Sequence, residues 1–125
     1  MKLQKQTLHN GCLSACVAML TGRPVEEVTA QYHDLIWSGM PITEVLRREG
    51  VPFQELALKA NQVWFGRVYL ACVPSLNLPG SFHAIIIDAR GDEMEVLDPA
   101  PEGKQQYTAE NLHSWILECE VVPSS

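Results

Sequence analysis

Basic residues are scarce in this sequence. The chain of 125 residues has nine Lys and Arg against fifteen Asp and Glu, which gives a formal net charge of -6 at pH 7. The basic residues form no run that could follow a phosphate backbone, and nucleic-acid binding depends on such clusters. The composition therefore argues against nucleic acid as a partner.

Long apolar segments are also missing. No window approaches the roughly 18 consecutive apolar residues of a membrane-spanning helix. Residues 1–6 lack the apolar stretch of a signal peptide. We therefore expect a cytoplasmic protein without a membrane partner, and no motif in the sequence indicates a cofactor.

Cysteine is infrequent and irregularly spaced, which argues against a disulfide framework. The four positions are Cys12, Cys16, Cys72 and Cys119. We interpret them as free thiols in a reducing compartment. The last three lie among apolar residues, where cysteine behaves as a small hydrophobe, whereas Cys12 follows a polar segment.

An apolar content of 46% is enough for one core, and we expect a single domain over residues 1–125. The first half is predicted to be helical and the second half β-rich. This order indicates an α+β fold, with N-terminal helices packed against a C-terminal antiparallel sheet. The predicted helices cover residues 11–21, a segment opened by Pro24, 41–50 and 108–115, and the predicted strands cover residues 52–58, 67–73, 82–89, 93–97 and 117–122.

Cys12 lies at the expected start of the first helix. Asn10 is predicted as the N-cap, which places Cys12 in the first turn. A helix N-terminus favours a thiolate through the positive end of its dipole and its unpaired N–H groups. We therefore expect Cys12 to act as a nucleophile.

His83 and Asp98 are predicted to meet across a hairpin. A two-residue turn at Arg90-Gly91 or at Gly91-Asp92 places both side chains on one face, directly opposite or diagonal to each other. Both arrangements allow an imidazole–carboxylate hydrogen bond. A three-residue loop would place them on opposite faces.

Asp88 is the competing carboxylate, but it is five residues from His83 on the same strand and so points the other way. A carboxylate on one imidazole nitrogen leaves the other nitrogen to exchange a proton with a thiol, as in acyl transfer by a Cys–His–acid triad. The alternative is a core histidine hydrogen-bonded to a nearby Asp98.

In combination these residues form a more specific pattern. Gln6 is followed after five residues by Cys12 and then by Cys16, and His83 is followed fifteen residues later by Asp98. The pattern resembles the papain-like cysteine peptidases, in the branch typified by the double-glycine leader peptidase domains of bacteriocin-exporting ABC transporters. The similarity extends from Gln6 to Pro99, which is most of the chain.

The resemblance implies a papain-like fold and a bacterial thiol hydrolase that acts on a peptide or protein. It implies that Cys12 is the nucleophile, that His83 is first a general base and then an acid, and that Asp98 orients His83. It further implies that Gln6 donates its side-chain amide to an oxyanion hole completed by the Cys12 N–H, where charge appears only in the transition state. The chain differs from the family pattern at Gly11, where an acidic or amide residue is usual, and at Leu13, where glycine is usual.

Three functions are compatible with the residues. The first is a cysteine peptidase or a related thiol hydrolase, including a deamidase or an acyl-transferring enzyme. The second is a catalytically inactive papain-like module that binds a peptide or protein partner. The third uses His9, Cys12 and Cys16 as metal ligands, but a structural zinc site normally has a fourth ligand and paired C-x2-C spacing. We therefore predict no metal.

Overall fold

Three helices precede five strands along the part of the chain that the computed structural model describes, residues 1–56 and 62–124. The helices are α1 (Cys12–Thr21), α2 (Val25–Trp37) and α3 (Ile42–Arg48). The strands are β1 (Phe53–Glu55), β2 (Val68–Pro74), β3 (Phe82–Asp88), β4 (Glu95–Leu97) and β5 (Ile116–Val121). The predicted α+β class is confirmed.

Helix α1 begins one residue later than predicted, and its N-cap is Gly11 rather than Asn10. The Gly11 N–H donates to the Leu8 carbonyl oxygen at 3.0 Å, which closes a tight turn immediately before the helix. A Cβ atom at position 11 would lie 3.3 Å from the same oxygen, so the turn favours glycine. Cys12 is thereby the first residue of α1, inside the predicted first turn.

The strands form one antiparallel sheet in the order β1-β5-β2-β3-β4. One face of the sheet packs against the almost entirely buried helix α1, and the other face is covered by a second apolar cluster that includes Tyr107. Strand β3 is paired on both edges and apolar on both faces, as its sequence predicted. This central position fixes the start of β3 relative to α1.

The register of β3 and β4 confirms that His83 and Asp98 share a face. Ile86 pairs with Leu97, so position 83 would lie opposite position 100 if the pairing continued. That register corresponds to the Gly91-Asp92 turn, although the regular strands stop at Asp88 and Glu95. Asp98 is consequently the diagonal neighbour of His83.

The predicted helix over residues 108–115 is wrong, because this segment forms turns. The Thr108 N–H donates to Asn111 Oδ1 at 2.6 Å, and the Asn111 N–H donates back to Thr108 Oγ1 at 3.4 Å. These reciprocal bonds are of the kind that caps a helix N-terminus, but no helix follows them. Ser114 then adopts a left-handed φ of 53°, which redirects the chain into β5.

Two of the predicted strands are shorter in the structure. The segment predicted as 93–97 is a strand only over Glu95–Leu97, and that predicted as 52–58 is a strand only over Phe53–Glu55. The end of the latter prediction, residues 57–58, lies outside the described residues. The remaining strands agree with the prediction to within one residue at each end.

Candidate active site

Cys12, His83 and Asp98 come from three elements and meet at one end of the sheet. Cys12 begins α1, His83 is the second residue of β3, and Asp98 directly follows β4. Because β3 and β4 are antiparallel neighbours, the start of one and the end of the other lie together. Helix α1 contacts β3, and the Ala84 backbone N–H donates to the Cys12 thiol.

His83 and Asp98 form a short hydrogen bond, with 2.6 Å between Nε2 and Oδ1. Their side chains are 13% and 3% exposed, so water competes little for the contact. Because Nε2 is engaged by the carboxylate, Nδ1 is the ring nitrogen left for the thiol. The predicted imidazole–carboxylate pair is therefore present.

Asp98 is held from several directions. Its Oδ1 also accepts the Ala100 N–H at 2.9 Å, and its Oδ2 accepts the Tyr107 N–H at 2.7 Å. Burial raises the pKa of the Asp98 carboxyl, but the bond to His83 and these two N–H donors outweigh burial, and the net pKa is lowered. The carboxylate is therefore ionised and fixed in orientation.

Asp88 does not compete for the histidine. Its carboxylate is bound by Arg90, with 2.9 Å between Oδ2 and Nη2. The side-chain hydrogen bond from Arg90 is the largest of the contributions that lower the pKa of Asp88. The choice of Asp98 over Asp88 as the partner of His83 is thus consistent with the ion pairs in the structure.

The Cys12 thiol is partly buried and acidified. Burial raises its pKa, but hydrogen bonds from His83 and from the Ala84 N–H, the charge of His83 and the Leu13 N–H together lower the pKa below its ordinary value of 9.0. Two of these donors are backbone groups, one at the helix N-terminus and one on β3. The thiolate is therefore stabilised by fixed dipoles as well as by the histidine.

His83 is shifted in the complementary direction. Burial lowers its pKa, but the hydrogen bond to Asp98, the hydrogen bond to Cys12 and the charges of both groups raise the pKa from 6.5 to about 9. At neutral pH the imidazole is protonated beside an acidified thiol. The two shifts favour a thiolate–imidazolium pair, which is the reactive form of a cysteine nucleophile.

Two other cysteines have the opposite character. Burial strongly raises the pKa of Cys16, with the charges of Cys12 and Asp98 adding to the effect. Burial also raises the pKa of Cys119 to about 11. Cys16 belongs to the apolar core around α1, as expected for a packing residue.

The alternative metal site of His9, Cys12 and Cys16 would need its ligands close together. Among residues 1–56 and 62–124, no group of three or more His, Cys, Asp or Glu side chains is arranged to hold a metal ion. Cys16 is 0% exposed and packs in the core, whereas His9 is exposed. The geometry does not favour the metal-binding alternative.

Gln6 lies at the site but has partners that the sequence did not predict. The side chain is 8% exposed and borders a cavity with Cys12 and His83. Its Nε2 donates to the carbonyl oxygens of Leu8 at 2.9 Å and His9 at 3.0 Å, so the amide nitrogen faces the loop that leads from Gln6 to α1. The predicted role of Gln6 as an oxyanion donor stays a prediction.

Two cavities adjoin at Cys12, Phe82 and His83. The first has a volume of about 260 Å³ and is mainly apolar, and its other lining residues include Leu13, Ile42, Leu70, Ala84 and Glu118. The second has a volume of about 580 Å³ and is more polar, and its other lining residues include Asn10, Trp37, Ser75, Leu78 and Lys104. Cys12 and His83 therefore line both cavities.

Several contributing groups were missed from the sequence because they act through the backbone. The N–H groups of Ala84 and Tyr107 bind the thiol and the carboxylate respectively, and any residue type except proline has such a group. Trp37 is a second kind of omission. Its Nε1 donates to the Asn10 carbonyl oxygen at 3.3 Å across 27 positions of sequence, a contact that local patterns do not indicate.

Comparison with known proteins identified no relative of this chain. No protein-family model, curated protein or solved structure matches the chain. Within the described residues, none of the helices has the length and apolarity needed to cross a membrane. The functional assignment therefore depends on the geometry of the site and on the order of its residues.

Proposed function

We propose that this protein is a thiol hydrolase of the cysteine peptidase type, which cleaves a peptide or isopeptide bond through Cys12, His83 and Asp98. The observation that carries the proposal is the position of the His83 ring, bonded to Asp98 at 2.6 Å on one side and to the acidified thiol on the other. A buried structural histidine needs only one such partner. A nucleophile, a base and an orienting acid in one line form the minimal constellation for covalent acyl transfer.

In the first half-reaction the Cys12 thiolate attacks the scissile carbonyl carbon. Negative charge moves to the carbonyl oxygen, where the Cys12 N–H is a donor that helix geometry leaves without an intrahelical partner. Imidazolium His83 then protonates the leaving nitrogen, the C–N bond breaks, and a thioester remains on Cys12. Asp98 stays ionised and holds the ring in place.

In the second half-reaction a water molecule replaces the amine. Neutral His83 takes a proton from the water as its oxygen attacks the thioester carbonyl. Collapse of the tetrahedral intermediate breaks the C–S bond, releases the carboxylic acid and restores the thiolate–imidazolium pair. Since Cys12 must stay reduced for turnover, we propose the cytoplasm as the compartment of action.

The cavities favour a substrate that extends on both sides of the reacting carbonyl. A cavity of about 150 Å³ can hold benzene, so the apolar cavity of about 260 Å³ has room for an aromatic or large aliphatic group. Leu13 lines this cavity, which gives the bulky residue beside the nucleophile a place in substrate selection. Space on both sides of the thiol fits a peptide better than the small side-chain amide of a deamidase substrate.

Labelling with iodoacetamide near neutral pH tests the proposal. Cys12 is expected to react faster than Cys16 and Cys119, whose pKa values are raised, and His83→Ala is expected to slow the reaction at Cys12. Peptide mapping by mass spectrometry assigns the rate to each cysteine. Equal rates at the three thiols, or an unchanged Cys12 rate in His83→Ala, would refute the activated nucleophile.

A peptide-binding module without turnover is the second candidate function. The observation that favours it is the contact of Gln6 Nε2 with two backbone carbonyl oxygens, which compete with an oxyanion for this donor. Such a module would bind a peptide equally well in wild type and in Cys12→Ala. Hydrolysis of that peptide by the wild type but not by Cys12→Ala would exclude it.

A further inference from the structure

The loop from Gln6 to Gly11 leads into the nucleophile and is held by a dense set of hydrogen bonds. The Gln6 backbone N–H donates to the Pro99 carbonyl oxygen at 2.8 Å. The Gln6 side chain donates to the carbonyl oxygens of Leu8 and His9, and Leu8 also accepts the Gly11 N–H. One residue therefore connects the turn before Cys12 to the chain that carries the carboxylate.

The Gln6 side chain that makes these contacts is buried. Gln6 is 8% exposed, and its Oε1 is buried without a hydrogen-bond partner among the described residues. Losing the Nε2 donor would leave the His9 carbonyl oxygen without this bond and the Leu8 oxygen with only the bond from the Gly11 N–H. The turn would relax, and Cys12 follows it directly.

Rotating the Gln6 side-chain amide would not give a better set of hydrogen bonds. Rotation by 180° would direct Oε1 at two carbonyl oxygens, which places acceptors against acceptors. The hydrogens of Nε2 therefore remain on the loop. The hydrogen bond from the Gln6 N–H to the Pro99 carbonyl oxygen also restrains the loop, because Pro99 directly follows Asp98, whose carboxylate orients His83.

We propose that Gln6 is a positioning residue, whose side chain fixes the Leu8–Gly11 turn and whose backbone ties that turn to the Asp98 segment, so that the thiol stays in contact with His83. This inference rests on the proposed function. The bonds from Nε2 to the loop carbonyls hold the turn, and the N–H of Cys12 at the start of α1 remains a donor for the oxyanion.

The test compares Gln6→Met with the wild type. Methionine fills a similar buried volume and removes the unpartnered Oε1 together with both donors. The pH profile of Cys12 alkylation by iodoacetamide should move to higher pH, and the rate at pH 6.5 should fall about tenfold, equivalent to one unit of thiol pKa. Turnover of p-nitrophenyl acetate should fall in parallel.

Gln4→Met is the matched control. Gln4 also makes two backbone bonds, from Nε2 to the Arg23 oxygen and from the Val25 N–H to Oε1, each 2.8 Å, but at the other end of α1. It should lose stability and keep the wild-type alkylation profile. If circular dichroism shows that Gln6→Met is unfolded, Gln6→Asn provides the same comparison, because its shorter amide cannot reach both carbonyls.

Two results would overturn the inference. A Gln6 variant that keeps the wild-type alkylation profile while ester turnover falls by about 10²–10³ would identify Gln6 as an oxyanion donor. A variant that changes neither quantity would show that Gln6 has no role at the site. Failure of the proposed function gives a different result, in which wild-type Cys12 is alkylated no faster than Cys119.

Discussion

Replacing Asp98 by asparagine removes the main partner of the His83 ring while keeping the shape of the side chain. The pKa of His83 is raised from 6.5 to about 9, and the hydrogen bond to Asp98 is the largest contribution in that direction. The rise corresponds to about 3 kcal/mol at roughly 1.4 kcal/mol per unit. The side-chain NH2 group of asparagine would also face one of the N–H groups whose hydrogen bonds the carboxylate accepts, and two donors cannot bond to each other.

We expect the thiolate–imidazolium pair of Asp98→Asn to be less populated at low pH. If the contribution of Asp98 exceeds one unit, the rate of Cys12 alkylation at pH 6.5 falls by about tenfold or more. The assay is iodoacetamide labelling between pH 5 and 9.5, followed at Cys12 by mass spectrometry. The midpoint of the profile should move towards 9.0, the ordinary value for a thiol.

Asp88→Asn is the control for this experiment. It makes the same chemical change on the neighbouring strand, but its carboxylate binds Arg90 rather than the histidine. It should leave the alkylation profile of Cys12 unchanged. The reasoning is refuted if Asp98→Asn keeps the wild-type midpoint, or if Asp88→Asn shifts it as far.

Two further predictions concern turnover. The pH profile of kcat/KM should be bell-shaped, since activity rises as Cys12 ionises below its ordinary 9.0 and falls as His83 loses its proton at about 9; activity that still rises above pH 10 would contradict this. We expect the wild type to prefer p-nitrophenyl 3-phenylpropanoate over p-nitrophenyl acetate by roughly tenfold or more, because the phenyl group would be buried in the apolar cavity. Leu13→Trp should fill that cavity and abolish the preference. An unchanged ratio of the two acylation rates in stopped-flow would show that the acyl group lies elsewhere, and Leu35→Trp on the exposed side of α2 is the control.

The meeting of His83 and Asp98 was predictable because side chains alternate along strands. Any hairpin whose connection has an even number of residues places the two side chains on one face of the sheet. The connection between the paired residues Asp88 and Glu95 is longer than a two-residue turn, but its number of residues is also even. The prediction required only the period of the strand and not the details of the turn. The same argument correctly excluded Asp88 as the partner of His83.

Local signals were less reliable where the backbone conformation of a turn decided where a helix begins or whether it forms. Asn10 is a better N-cap than glycine by side-chain chemistry, but the Gly11 N–H closes a turn on Leu8, and the helix begins one residue later. Thr108 does pair with Asn111, but the left-handed Ser114 directs the chain into β5 before a helix can form. Neither competing contact leaves a pattern in the neighbouring sequence.

The partners of Gln6 were not predictable for a related reason. Its position before Cys12 was visible in the sequence, and the structure does bring it to the site. The direction of its amide, however, depends on how the loop to Gly11 folds back, and that path is set by backbone carbonyls at Leu8 and His9. Residue types indicate which groups are near a site more readily than which atoms they contact.

The most direct test of the central claim is to look for an acyl group on Cys12. Wild-type protein mixed with p-nitrophenyl acetate at pH 7.5 and quenched in acid should carry one acetyl group, mapped to Cys12, with a burst of p-nitrophenolate of matching size. Cys12→Ala should show neither, and His83→Ala should form the acetyl-enzyme more slowly. A burst that survives in Cys12→Ala, or acetylation spread over surface lysines with none on Cys12, would contradict the account.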